Sequence, residues 1–277
     1  MRLWRKLHGR TGSAEDLSDT VGEVTFASQR PLPTLSILYS DEHLLLVDKP
    51  PGMAVHRSRL VNEDGVYLVD LLRDQLKADG HSGSLHPTHR LDRGTSGVLL
   101  VGRNPQVAAA LGEQFMSRDV EKIYLAVCRG WPDETGEIDY PLPGVRETSE
   151  RKPALTRWRR LAKVEVPIAI SRYPQQRYAL IQVQPETGRY RQIRRHFSHI
   201  HHHLIGDTSH GRGDHNRLFR EHYGVHRMLL HARRLRFAHP VSGEVLTVEA
   251  PLDEAWTELI ERFEWGHASA LATTAGH

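Results

Sequence analysis

The hydrophobic positions of this chain fall into short runs separated by longer, periodic stretches. LSILY at 35–39 and HLLLVDK at 43–49 are brief apolar runs, the second closed by Pro50-Pro51-Gly52, and both read as strands ending in a turn. GVLLVGR (97–103), KIYLAVCRG (122–130), ALTRWRRLAKV (154–164) and RYALIQVQP (177–185) read as further strands, the last alternating with period two. VYLVDLLRDQLKADG places Val66, Val69, Leu72 and Leu76 at helical spacing, with Gly80 as its stop. NPQVAAALGEQFMSR predicts a helix capped by Asn104, with Pro105 at the first position, where its missing N–H does no harm. TGRYRQIRRHFSHI sets Ile193, Phe197 and Ile200 on one helical face and turns Arg191, Arg194 and Arg195 away from it. MLLHARRLRFAHP, EVLTVEAP and the amphipathic DEAWTELIERF close the domain. Strands outnumber helices and many neighbours are hairpin-like. The pattern predicts one α+β domain over 34–265, with a mixed, mainly antiparallel sheet flanked by helices. The polar residues 1–33 read as an extension and 266–277 as a tail.

Composition narrows the class. With 277 residues, 39% of them apolar, the chain can bury a full core. Its one cysteine, Cys128, excludes an intramolecular disulfide framework and a cysteine-rich zinc site, and its apolar surroundings point to core packing. No apolar stretch approaches the roughly 18 residues of a membrane span. The basic N-terminus is followed by no hydrophobic segment, so a cytoplasmic setting is expected.

The net charge of +3 hides a strong asymmetry. Residues 1–150 hold 17 basic against 22 acidic side chains, residues 151–240 hold 19 against 5, and residues 241–277 hold 1 against 7. Seventeen of the 19 basic residues in the middle block are arginine, whose fork matches phosphate oxygens. A solvated basic face is the ordinary explanation, but a balance of +14 over ninety residues points to a polyanion, and nucleic acid is the expected partner.

Chemistry concentrates in HRLDRGTSG, at 89–97, directly before an apolar strand. Asp92 between Arg90 and Arg93 should stay ionised, because nearby positive charge favours the carboxylate. A salt-bridged turn would explain the same residues equally well. A second cluster, ETGRYRQIRRH, opens a helix at Thr187-Gly188, where phosphate is well received and an arginine can pair with a buried carboxylate. Tyr124, in EKIYLAV, is either a core residue or an aromatic plate for an extruded base.

Taken together, LLLVDKPPGMAVH, HRLDRGTSGVLL, KIYLAVCRG, TGRYRQIRRH…LIGD and RMLLHARRLRFAHPVSGEVLTVEAPL resemble, in order and spacing, the RluA-type pseudouridine synthases. The resemblance runs from about Leu35 to about Phe263. It implies a central RNA-binding cleft in which Asp92 is the catalytic residue. Arg90 would fill the gap left by the flipped uridine, Tyr124 would stack on the uracil, and Arg194 would pair with Asp92. His89, Thr95, Arg191 and Arg195 are the implied substrate-binding positions, with Gly94 to Gly97 as the turn that aims Asp92. The reaction is redox-neutral and needs no activated donor, so no cofactor and no metal are expected. One carboxylate suffices, as nucleophile or as base, and the residues leave both routes open. LVDKPPGMAVHRS, CRGWPDETGEIDYPL and ISRYPQQRYALIQVQPETGR are most similar to members acting on transfer RNA, which implies uridine 65 of the T-stem, with ribosomal RNA as the alternative.

Three features depart from the family pattern. Arg191 stands where a histidine is usual, His203 stands where a proline is usual, and residues 1–33 are too short for the S4-like domain many relatives carry. Rival readings fare worse. HRLD also resembles a kinase catalytic loop with Lys49 as nucleotide lysine, but no glycine-rich loop precedes Lys49. His199 and His203 stand at metal-ligand spacing if helical, without a carboxylate before Asp207. A non-catalytic RNA-binding protein would explain the charge, but not the joint presence of Asp92, Tyr124 and Arg194.

Overall fold

The computed structural model describes residues 33–56, 66–78, 80 and 83–266. Apart from residues 33 and 266, the expected extension and tail lie outside the described residues. The strands are β1 (Ser36–Ser40), β2 (Leu44–Lys49), β3 (His86–Pro87), β4 (Ser96–Gly102), β5 (Glu121–Arg129), β6 (Thr135–Asp139), β7 (Leu155–Val166), β8 (Gln176–Pro185), β9 (Leu230–Ala238) and β10 (Val245–Glu249). They form one sheet in the order β1-β2-β4-β9-β5-β8-β7-β6, with β10 paired to β9 and β3 to β4. All pairings are antiparallel except β4 with β9. The expected mixed, mainly antiparallel sheet is therefore present.

The sheet is covered on both faces, which is why β2 and β4 read as continuous apolar runs. Successive residues point to opposite sides. Leu45, Val47, Leu99 and Val101 pack beneath α1 (Leu68–Ala78), while Leu44, Leu46, Val98 and Leu100 pack beneath α2 (Pro105–Ser117). Further along, Ala126, Cys128, Ala179 and Ile181 meet Ile193 and Phe197 of α3 (Gln192–His199). On the opposite face, Leu125, Val127, Tyr178 and Leu180 meet α4 (Gly213–Tyr223) and α5 (Glu254–Arg262). Each fully buried Leu or Val stabilises by about 1.5–3 kcal/mol, so the centre of the sheet is the stiffest ground on which to build a site.

Local signals behave as their chemistry dictates. Val107 donates its N–H to the Asn104 side chain at 2.9 Å, and Gly80 takes φ +84° beyond α1. Val66, expected on the apolar face of α1, lies before the helix and is 49% exposed. The chain first bridges Tyr67 to Ala54, and the Leu68 and Val69 N–H groups bond the Ala54 and Val55 carbonyls, delaying the helix start. No described helix is long and apolar enough to cross a membrane.

The parallel seam lies at the middle of the sheet. Ser96 of β4 pairs with His231 and Gly97 with Ala232. Gly97 has φ +106°, and a Cβ there would lie 2.2 Å from the Ala232 carbonyl oxygen, so only glycine lets the strands meet. Beside it, β5 carries a register shift between Ile123 and Tyr124. The loop bearing Asp92 and the strand bearing Tyr124 thus converge on these two irregularities of the central sheet.

Candidate active site

The loop into β4 is pinned from several sides. Thr95 donates its N–H to the Asp92 carbonyl at 3.0 Å, closing the expected turn. Arg93 Nε donates to the Gly52 carbonyl at 2.8 Å, and Gly52 N–H donates back to the Arg93 carbonyl at 2.8 Å. Lys49, fully buried, donates to the Pro50 carbonyl at 2.8 Å and the Arg93 carbonyl at 3.2 Å. Burial, reinforced by the charge of Arg227, pushes its pKa down to about 7. Lys49 is therefore a prop beneath the Asp92 loop.

His89 is a second prop. Leu100 N–H donates to its Nε2 at 3.0 Å, and its ring stacks on Phe115 with centroids 4.7 Å apart. Burial drives its pKa down to about 3. It lines the cleft as a neutral ring, which argues against charge pairing with a substrate phosphate.

Arg194 joins the loop to α3. Its Nη1 donates to Asp92 Oδ2 at 2.7 Å, while Nε and Nη2 donate to Asp207 Oδ2 and Oδ1 at 2.7 and 2.8 Å. The Arg194 side chain is 8% exposed, Asp207 1% and Asp92 24%. Burial opposes charge on Arg194, but the hydrogen bonds and charges of Asp207 and Asp92 outweigh it and hold its pKa above the ordinary value. Burial likewise raises Asp207, but Arg194 and the His210 and Ser209 N–H groups reverse that and hold it below the usual range. The resemblance pairs Arg194 with Asp92 alone; Asp207 closes the LIGD segment of the same resemblance without an assigned role.

A cleft of about 580 Å³ opens above these groups, lined by Asp92, Tyr124, Arg194, Arg90, His89, Thr95 and Arg191. Tyr124 faces it from β5, and burial together with the Asp92 charge raises its phenol pKa, so the hydroxyl stays protonated. Arg90 is exposed. Arg191 is not on a helical face with Arg194. It sits just before α3 with φ +52°, its guanidinium 4.9 Å from the Tyr190 ring centroid.

Arg195 departs from expectation. It is absent from the cleft lining, and it donates to the Pro143 carbonyl at 2.9 Å and to Glu147 at 2.8 Å. One helical step of about 100° beyond Arg194 turns it toward that loop. The histidine run also points elsewhere. α3 ends at His199, so His199 and His203 share no helical turn. His199 stacks on Tyr140 at 3.8 Å, and His203 shares a hydrogen bond with the His210 carbonyl at 2.7 Å.

The basic block is partly consumed inside the fold. Arg157, Arg195, Arg227, Arg233 and Arg234 pair with Glu137, Glu147, Asp253, Glu249 and Glu121, all from the acidic flanks. The sheet brings the opposite charges together. From the block only Arg189, Arg191 and Arg194 line the cleft, joined there by Arg90, Arg118 and Lys122 from the first 150 residues.

A mixed sheet carrying one carboxylate and one tyrosine over a basic cleft fits a domain that acts on nucleic acid, and comparison with known proteins makes that specific. Residues 43–199 match the family described as RNA pseudouridylate synthase. The chain belongs to this family and is therefore an isomerase. Proteins called tRNA pseudouridine synthase C are similar to it. That of Vibrio cholerae is 43% identical over 240 residues, covering 83% of this chain and 96% of the relative. That of Vibrio vulnificus is 42% identical over 252 residues, covering 88% and 100%. The fold is similar to that of human RNA Pseudouridylate Synthase Domain Containing 4, at TM-score 0.66 and 24% identity, over 83% of this chain and 93% of that one.

Proposed function

We propose that this protein converts a uridine of transfer RNA to pseudouridine, with Asp92 as the catalytic carboxylate. The observation that carries the reading is the Asp92 side chain, bonded to Arg194 through Oδ2 alone and lining the same cleft as Tyr124. Arg194 places a counter-charge 2.7 Å from the Asp92 carboxylate. Tyr124 offers a protonated aromatic face for the extruded uracil, and Arg90 is free to enter the space the base leaves. Unstacking a base costs a few kcal/mol, and phosphate contacts from Arg90, Arg118, Lys122, Arg189 and Arg191 offset it.

The chemistry closes on these groups. The N1–C1′ bond breaks, the base turns, and a C5–C1′ bond forms. The C5 hydrogen leaves as a proton and N1 takes one up, so electrons balance without a redox partner. Addition of Asp92 to C1′ and removal of the C2′ proton both begin from the same ionised carboxylate.

Transfer RNA is favoured because relatives above 40% identity over most of both chains carry that substrate in their names. The target is uridine 65 of the T-stem, as the resemblance carried by LVDKPPGMAVHRS and CRGWPDETGEIDYPL implies. The test is to map pseudouridine in total RNA from cells lacking this protein. Loss at one transfer-RNA position, restored by the wild-type gene and not by Asp92→Asn, is expected. Loss confined to ribosomal RNA overturns the substrate while keeping the reaction.

A further inference from the structure

We propose that Asp207 is a positioning residue for the isomerisation: it takes the Nε and Nη2 hydrogen bonds of Arg194 and leaves Nη1 to hold Asp92. The loop that holds it is over-determined. Asp207 Oδ1 accepts the Ser209 and His210 N–H groups, both at 2.9 Å, besides Arg194 Nη2. Asn216 ties the same turn, donating to the Asp207 carbonyl at 2.9 Å and accepting Gly206 N–H at 2.8 Å. Gly206 and Gly211 allow the close approach, since a Cβ would come 2.0 Å from the Arg227 carbonyl oxygen or 2.1 Å from that of Asp207.

One guanidinium between two carboxylates leaves one negative charge in excess. Asp207, buried with four donated hydrogen bonds, is the firmly ionised member. The excess charge therefore rests on Asp92, the only one of the three side chains with substantial exposure. With Arg194 shared, Asp92 is held in place yet only partly neutralised. The other groups facing the triad are Lys49 and Tyr124 around Asp92, and His210 around Asp207, with Arg191 and Arg195 in turn near His210.

The inference rests on Asp92 as the reacting carboxylate, so Asp92→Asn is assayed beside the Asp207 variants. In single-turnover tritium release, Asp207→Asn frees Arg194 to neutralise Asp92. The rate is expected to fall at least tenfold with RNA affinity unchanged, and the acidic limb of the pH–rate profile to move down by about one pH unit. A purely structural Asp207 would lower the folded fraction and leave that limb in place. Should Asp207→Asn not fold, Asp207→Glu keeps the charge and breaks the two-point grip, so the single-turnover rate of the folded, RNA-bound fraction falls while the limb stays, whereas a purely structural loss leaves that rate unchanged. Wild-type rates and limb in either folded variant overturn the inference, whereas an active Asp92→Asn overturns the reading beneath it.

Discussion

Arg93 and Gly52, 41 residues apart, exchange two hydrogen bonds of 2.8 Å, one from the Arg93 side chain and one from the Gly52 backbone. This clasp binds the Pro50-Pro51-Gly52 turn to the loop that presents Asp92. Gly52 has φ +81° with nothing within 4 Å of an added Cβ, so Gly52→Ala meets backbone strain alone. A loss of about 1–2 kcal/mol of stability is expected, read from urea midpoints, with a lower turnover because the loop loosens. Unchanged midpoint and turnover would show that the clasp is idle.

Arg194→Ala strips a buried carboxylate of its partner as well as freeing Asp92. Breaking such a pair from one side costs about 3–5 kcal/mol, so the variant should be poorly folded at ambient temperature. Arg194→Lys keeps the charge without the fork and should fold better yet remain slow. A fully stable Arg194→Ala contradicts the observed bridge.

Acid sensitivity follows from burial of neutral imidazoles. Burial lowers His89 to about 3 and His215 and His231 to about 4, against an ordinary 6.5. Below pH 6.5 the unfolded chain binds these protons and the native chain does not, so stability falls as the pH drops toward 4. Asp48, raised to about 6 by burial and by Asp253, acts in the opposite sense between its ordinary value and 6. These three histidines against one carboxylate leave about two protons, or ~2–3 kcal/mol lost per pH unit, and His196 and His210, also lowered by burial, act in the same direction. Urea midpoints measured from pH 7 to pH 4.5 should decline; a flat or rising series contradicts this balance.

Arg191 and Arg195 should separate cleanly. Arg191 lines the cleft, so Arg191→Ala should lower the salt slope of RNA binding by about one phosphate contact. Arg195 is spent on Pro143 and Glu147, so Arg195→Ala should leave the slope alone and affect stability only. Equal effects on the slope would place both on the RNA.

What the sequence reveals and what it hides have physical reasons. α2 is legible because Asn104 and Pro105 act within one turn, and the central strands because they are apolar on both faces. α4 is hidden because GDHNRLFREHY buries only Leu218, Phe219 and His215, with Tyr223 partly buried at its end, too few for a periodic apolar stripe. β6 (TGEID) is short and buries only Ile138. The grouping of Asp92, Tyr124 and Arg194 is recognisable from three motifs in order. The grip of Asp207 on Arg194 depends on how one guanidinium is divided between two loops, which spacing alone does not reveal. The charge of the middle block overstates the RNA surface, since its partners lie in flanks that only the folded sheet brings near.

Whether the Asp92 carboxylate performs the isomerisation is decided by tritium release from transfer RNA carrying 5-tritiated uridine under single-turnover conditions. Wild-type protein should release the label from one uridine per transfer RNA. Asp92→Asn, folded and binding the RNA within a few-fold, should release none above background. Label released by Asp92→Asn at a rate near that of the wild type would remove Asp92 from the reaction.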